Sequence, residues 1–188
     1  MKKLIYVLAI SMSLTAWSQV KTPQSSPASK LIQTVGLTDV TITYSRPSMN
    51  GREIMGALVP YGEIWRTGAN QNTVISFSDV VSFGDQELPA GDYAIYTQPG
   101  DESWDVYFYN DTSNWGTPSK WDDTKISAQV TTVPLQTETI LSFTIWISDL
   151  HNNGASLNIG WENTYITLPF GVPTIAKATA SIDEVLKK

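Results

Sequence analysis

The chain has 188 residues, no Cys, and twelve basic against eighteen acidic residues, for a formal net charge of −6. Without Cys it can use neither disulfides, thiol catalysis nor Cys-ligated metals, and its negative charge argues against nucleic acid and anionic membrane as partners. The first element in chain order is a secretory signal peptide: Lys2 and Lys3, an apolar run over 4–10 that continues through Met12 and Leu14, then Ala16-Trp17-Ser18. Cleavage after Ser18 would leave Gln19 as the N-terminus and take the net charge from −6 to −8, because Lys2 and Lys3 go with the leader. The apolar run is well short of the roughly 20 residues a spanning helix needs. The expectation is therefore an exported protein, periplasmic or extracellular, with no membrane insertion once the signal is cut.

Residues 19–28 are rich in Ser, Pro, Thr and Gln and read as a flexible leader. A period of two follows. Val40, Ile42 and Tyr44 alternate with Thr41, Thr43 and Ser45, and Trp104, Val106 and Phe108 alternate with Asp105, Tyr107 and Tyr109. This is the pattern of half-buried strands rich in β-branched and aromatic residues. Similar runs fall at 30–35, 73–77, 80–83, 92–98, 125–132, 139–148, 156–161 and 164–168, ten short strands in all. Gly84-Asp85, Pro89-Ala90-Gly91, Pro99-Gly100-Asp101 and Asn152-Asn153-Gly154 supply tight reversals between them, and tight reversals join antiparallel neighbours. The fold class is all-β, an antiparallel β-sandwich or jelly roll over 29–170, with a closed barrel as second choice. In the tail, 171–188, Ser181 and Glu184 form a capping box and predict one short helix.

Two segments break the strand pattern, 46–72 and 110–124. Loops this long in a compact domain are either functional or disordered, and the first holds too many apolar residues for disorder. It also holds all three arginines of the protein, Arg46, Arg52 and Arg66, followed by Thr67, Gly68, Ala69, Asn70, Gln71 and Asn72. A guanidinium is a planar fork that grips carboxylate, sulfate or phosphate through paired hydrogen bonds. Two readings stand side by side: an anion site, or braces that pair with Glu53, Glu63 or other acids. Partners for braces are plentiful, since 67–119 contains eight acids and no base.

Ser45-Arg46-Pro47-Ser48, Gly51-Arg52, Leu58-Val59-Pro60-Tyr61-Gly62 and Trp65-Arg66-Thr67-Gly68-Ala69-Asn70 closely resemble the exported bacterial family catalogued as domain of unknown function 2911. Leu88-Pro89-Ala90-Gly91 with Tyr93, Pro99 with Trp104, Trp115-Gly116 and Trp161-Glu162 continue the resemblance over about residues 30–170. Gln71 departs from it, as many relatives carry Glu there, so no role for an acid at that position is carried over. The resemblance implies the fold and export, and brings no activity with it.

Trp115 and Trp121 lie in the second long loop among Asn114, Asp122 and Asp123. Indole faces flanked by amides and carboxylates suit sugar rings, and the alternative is that the loop folds back and buries both. His151 stands in a hairpin turn; one His without Cys argues against zinc or copper, and no Gly-x-Ser-x-Gly elbow offers it a nucleophile. No cofactor, metal or catalytic residue is assigned. The first functional reading is a non-catalytic β-sandwich that binds a small-molecule or carbohydrate ligand, or one bearing a carboxylate, through Arg46, Arg52, Arg66, Asn70, Trp115 and Trp121. The second is a hydrolase or lyase acting on extracellular polymers, with Arg66 and Asn70 stabilising an anionic group. The third is a structural or protein-interaction module. Arginines that converge on an open cleft with a free carboxylate favour the enzyme, convergence without one the binder, and burial against acids the structural module.

Overall fold

The structure is a computed structural model and describes residues 22–187. The signal peptide and the Gln19 start lie outside the described residues. Among the described residues, ten strands form two antiparallel sheets. The first carries β1 (Ala28–Val35), β2 (Thr38–Ser45), β3 (Thr73–Phe77), β6 (Gly91–Gln98), β7 (Trp104–Tyr109) and β8 (Ile126–Thr132), in the order β1-β2-β3-β6-β7-β8. The second carries β4 (Val81–Phe83), β5 (Gln86–Leu88), β9 (Leu135–His151) and β10 (Gly154–Gly171), in the order β5-β4-β10-β9. The all-β sandwich expected from the alternation is what forms.

The period of two puts Val40 and Ile42, Ile75 and Phe77, and Trp104, Val106 and Phe108 on one face of the first sheet, all buried. Against them the second sheet turns Phe83, Leu88, Phe143, Ile145, Leu157, Ile159, Trp161, Leu168 and Phe170. Contact across the gap is aromatic at several points: the rings of Phe83 and Phe108 lie 4.5 Å apart between centroids. Burying such side chains stabilises the fold by roughly 1.5–3 kcal/mol each before entropy is counted, which is what a chain without disulfides relies on.

The strands are not quite the expected ten. The runs at 156–161 and 164–168 are one strand, β10, and its break at Glu162-Asn163 is a bulge: pairing with β9 shifts register on both sides of Glu162, whose φ is 56°. A bulge inserts an unpaired residue without ending the ladder, so a polar interruption in the sequence reads as a turn when it is a kink. Gln86–Leu88 is an extra short strand, paired with Val81–Phe83 around the Gly84-Asp85 turn. The C-terminal helix, α1, spans Thr174–Leu186, so Ser181 and Glu184 lie within it rather than at its start. Pro173 begins it, with φ already near the helical value and no N–H to leave unpaired, and Ala176, Ala178 and Ala180 favour its continuation.

The outer face of the first sheet has a small core of its own. Ala94, Tyr96, Tyr107 and Tyr109 are buried there beneath the loop between β7 and β8, with Trp121 and Ile64 packed onto them. Asn72 Nδ2 donates to the Tyr96 hydroxyl at 2.9 Å, and that hydroxyl donates to the Gly116 carbonyl at 3.2 Å. Burial, helped by the neighbouring Tyr109, pushes the Tyr96 phenol from near 10 up to about 12. Above pH 10 the unfolded chain releases this proton while the folded protein keeps it, so stability is full below that point and is lost as pH rises toward about 12. A melting series should show that fall, and Tyr96→Phe should flatten it. Tyr93 and Tyr107, also raised by burial, will keep part of the slope.

Candidate functional site

The segment between β2 and β3 crosses one edge of the sandwich and is fastened to both sheets. On the side of the second sheet, Met49 N–H donates to Leu141 O at 2.7 Å and Phe143 N–H to Pro47 O at 2.9 Å. On the side of the first, Trp65 and Thr97 exchange two backbone hydrogen bonds, of 2.7 and 2.9 Å. Between these seams the two carboxylate oxygens of Glu162 accept from Ile54 N–H at 3.3 Å and Met55 N–H at 3.1 Å. The bulged stretch thus has a purpose: with the register shifted on both sides of Glu162, its carboxylate holds the middle of the loop.

Trp65 anchors the next step. Its ring stacks on Trp161 with centroids 6.0 Å apart and planes at 19°, and meets Phe143 edge-on at 5.2 Å. After it the backbone reverses through three residues of positive φ, Thr67 at 54°, Gly68 at 147° and Asn70 at 59°. At Gly68, whose φ of 147° favours glycine, a Cβ would also lie tight, 3.0 Å from Thr73 Oγ1 and 3.3 Å from Ser45 O. Thr67 is fully buried and bonds Thr97 Oγ1 across the seam. Arg66, between the fixed Trp65 and this reversal, is half-buried.

The six residues singled out in the sequence fall into different environments. Arg46 is a brace: Nε donates to Phe143 O at 3.0 Å and Nη2 to Thr144 Oγ1 at 2.7 Å. Asn70 is another, its Nδ2 reaching Ser26 O at 3.1 Å and Ser45 Oγ at 3.3 Å, which fastens the end of the leader to the loop. Trp121 lies against Tyr96, Tyr107 and Tyr109, at 4.8 Å from the last, and its Nε1 donates to Asp123. Trp115 is the opposite case, 72% exposed. Arg52 is exposed and curls over its own loop, donating to Met49 O and Ser48 O.

Arg66 alone has no brace to serve. Its Nε is buried and has no protein hydrogen-bond partner. It lines a cavity of about 370 Å³ together with Arg52, Trp65, Trp161, Asn50 and Ser48. Trp161 carries a second buried donor without a protein partner, Nε1. Among the described residues the ion pairs are Lys125 with Asp111 and Lys177 with Asp79, both at 2.6 Å, and none of the three arginines is in one. The expectation that Glu53, Glu63 or other acids neutralise the arginines therefore fails. A count of acids in the sequence holds no distance, and Glu162 of β10, an acid that does reach this loop, is committed to the backbone N–H groups of Ile54 and Met55.

Arg46→Lys should lower stability by about 1–3 kcal/mol in denaturant unfolding, because an ammonium cannot reach both Phe143 O and Thr144 Oγ1 and one part-buried acceptor is stranded.

Sequence reasoning missed Trp161. It enters there only through the Trp161-Glu162 pair of the family resemblance, whereas in the structure it stacks on Trp65 and lines the cavity. His151 stays in the β9–β10 turn, its Nδ1 accepting from Asn153 N–H at 3.3 Å, away from these residues.

These features define a two-sheet antiparallel sandwich with a guanidinium- and tryptophan-lined cavity beneath the loop that crosses its edge. No curated protein and no solved structure matches the chain. The chain belongs to the family described as protein of unknown function DUF2911, which it matches over residues 26–170. That span takes in the ten strands up to Phe170 and leaves α1 outside.

Proposed function

We propose that the protein is an exported, non-catalytic binding protein that takes a carboxylate-bearing ligand in the Arg66 cavity. The observation that carries this reading is the pair of buried donors, Arg66 Nε and Trp161 Nε1, neither of which has a protein acceptor. A buried donor left unpaired costs about 1–3 kcal/mol, and both residues line the cavity, where a carboxylate would meet the positive charge of Arg66 and Arg52. The residues around the cavity include no Asp or Glu to repel it, and no His. The same composition speaks against the hydrolase or lyase reading, which needs a carboxylate or imidazole within reach of the bond to be broken. Export is supported by Lys2, Lys3, the apolar run after them and the small residues Ala16 and Ser18.

Calorimetric titration of the mature protein with glucuronate, and with glucose as the neutral control, tests the reading. Glucuronate should bind and quench tryptophan fluorescence, since Trp65 and Trp161 wall the cavity, while glucose should do neither. Equal responses to both sugars, or to neither, would overturn it.

A further inference from the structure

Trp115 stands between two more depressions. On one side is a groove of about 660 Å³ bounded by Ser25, Ser26, Asn70, Gln71 and Trp115. On the other is a cleft of about 210 Å³ bounded by Thr43, Gln71, Asn72, Ser113, Asn114 and Trp115. The groove shares Ser25 and Ser26 with the arginine cavity and shares Gln71 and Trp115 with the cleft. Cavity, groove and cleft thus adjoin in sequence. Trp115 is held close to the cationic end as well: Gly116, at φ 82°, lies against Arg66, and a Cβ there would stand 3.4 Å from Nη1.

The chemistry changes along this path. At one end are guanidinium donors; in the groove and the cleft there is no Asp, Glu, Lys or Arg, only amides, hydroxyls, small apolar groups and an open indole face. Asn72, at the wall of the cleft, is 5% exposed, and its Oδ1 has no protein partner although its Nδ2 is spent on Tyr96. A neutral, amide-lined cleft with an unused buried acceptor and an exposed tryptophan at its mouth fits hydroxyl-bearing rings, whose polar edges hydrogen-bond and whose C–H faces stack. A run of acid groups does not fit it. The cation at Arg66 and Arg52 is local, in a protein whose net charge is −6.

We infer that the ligand is an oligosaccharide in which an acid sugar is joined to neutral ones, the carboxylate held at Arg66 and a neutral ring stacked on Trp115. This rests on the proposed carboxylate site and extends it along the groove. Binding one ligand at both ends also explains why the Trp115 loop is fixed so firmly beside the arginine loop: Lys125 holds Asp111 at 2.6 Å, and Trp121 is packed under the same loop.

The test compares glucuronate, xylotetraose, and an oligosaccharide of one glucuronate joined to three xylose units, on wild type and Trp115→Ala. Trp115 is exposed, so the variant should fold. Wild type should bind the acidic oligosaccharide about tenfold or more tightly than glucuronate, a difference that one stacked ring and its hydrogen bonds can supply. Trp115→Ala should reduce the oligosaccharide to the affinity of glucuronate and leave glucuronate itself within about twofold. Glucuronate binding with no gain for the oligosaccharide, or a gain that survives Trp115→Ala, would overturn the extended site and leave the carboxylate site standing. Xylotetraose binding as tightly as the acidic oligosaccharide would overturn the assignment of the acid sugar to Arg66. Failure of all three sugars to bind would overturn both the extended site and the carboxylate site.

Discussion

Trp161→Ala is expected to lower stability by about 3–5 kcal/mol, the largest loss of any single substitution considered for this protein. Trp161 is 2% exposed, stacks on Trp65 and meets Phe143 edge-on at 6.0 Å. Truncation removes a large buried surface and leaves a void between sheet and loop that neighbours cannot fill, since Trp65 is tied to Thr97 by two backbone bonds and to Gly68 O through its indole N–H. The loop that carries Arg66 should loosen with it. Denaturant unfolding measures the effect, with Trp115→Ala as the control expected to stay within about 0.5 kcal/mol because its side chain is exposed. Trp161→Phe keeps most of the ring contact and deletes an indole N–H that has no protein partner, so it should cost well under the alanine change while still weakening glucuronate binding.

Arg66→Lys should have the largest effect on binding and almost none on folding. Arg66 Nε has no hydrogen-bond partner among the described residues to lose, so the melting transition should move by no more than about 0.5 kcal/mol. The ammonium keeps the charge and lacks both the fork and a donor at the Nε position, and a hydrogen bond to a charged group is worth about 1.5–3 kcal/mol, so glucuronate affinity should fall by about tenfold or more. Arg46→Lys should do the reverse, losing stability because its fork is spent on Phe143 O and Thr144 Oγ1. Two identical substitutions twenty residues apart then separate the brace from the site.

The part of this that was legible in the sequence is the part governed by short-range alternation. Val40, Ile42 and Tyr44 announce a strand because every second residue must leave water, whichever neighbour it meets. The turn at Gly84-Asp85 is equally local. What the sequence hid is governed by pairing at a distance. Glu162 interrupts an apolar run and looks like the end of a strand, yet it sits within a bulged stretch of β10, and its carboxylate belongs to Ile54 and Met55, over a hundred residues earlier. Trp115 and Trp121, six residues apart in one polar loop, carry no local sign that Trp121 packs half-buried on three tyrosines while Trp115 stays open. The cluster of arginines was visible as chemistry. Its division into Arg46 as brace and Arg66 as unpartnered donor depends on which carbonyls the second sheet presents, and composition holds nothing of that.

With only three arginines in the chain, the side-chain Nε–Hε nuclear magnetic resonances are few enough to assign from the Arg46→Lys, Arg52→Lys and Arg66→Lys variants. Titrating the labelled protein with glucuronate therefore reads the site atom by atom. The Arg66 Nε–Hε signal should show a saturable downfield shift as it gains a carboxylate acceptor, with the Arg46 signal, already bonded to Phe143 O, staying in place. An Arg66 signal that does not move at saturating glucuronate, or one that moves no more with glucuronate than with glucose, would contradict it.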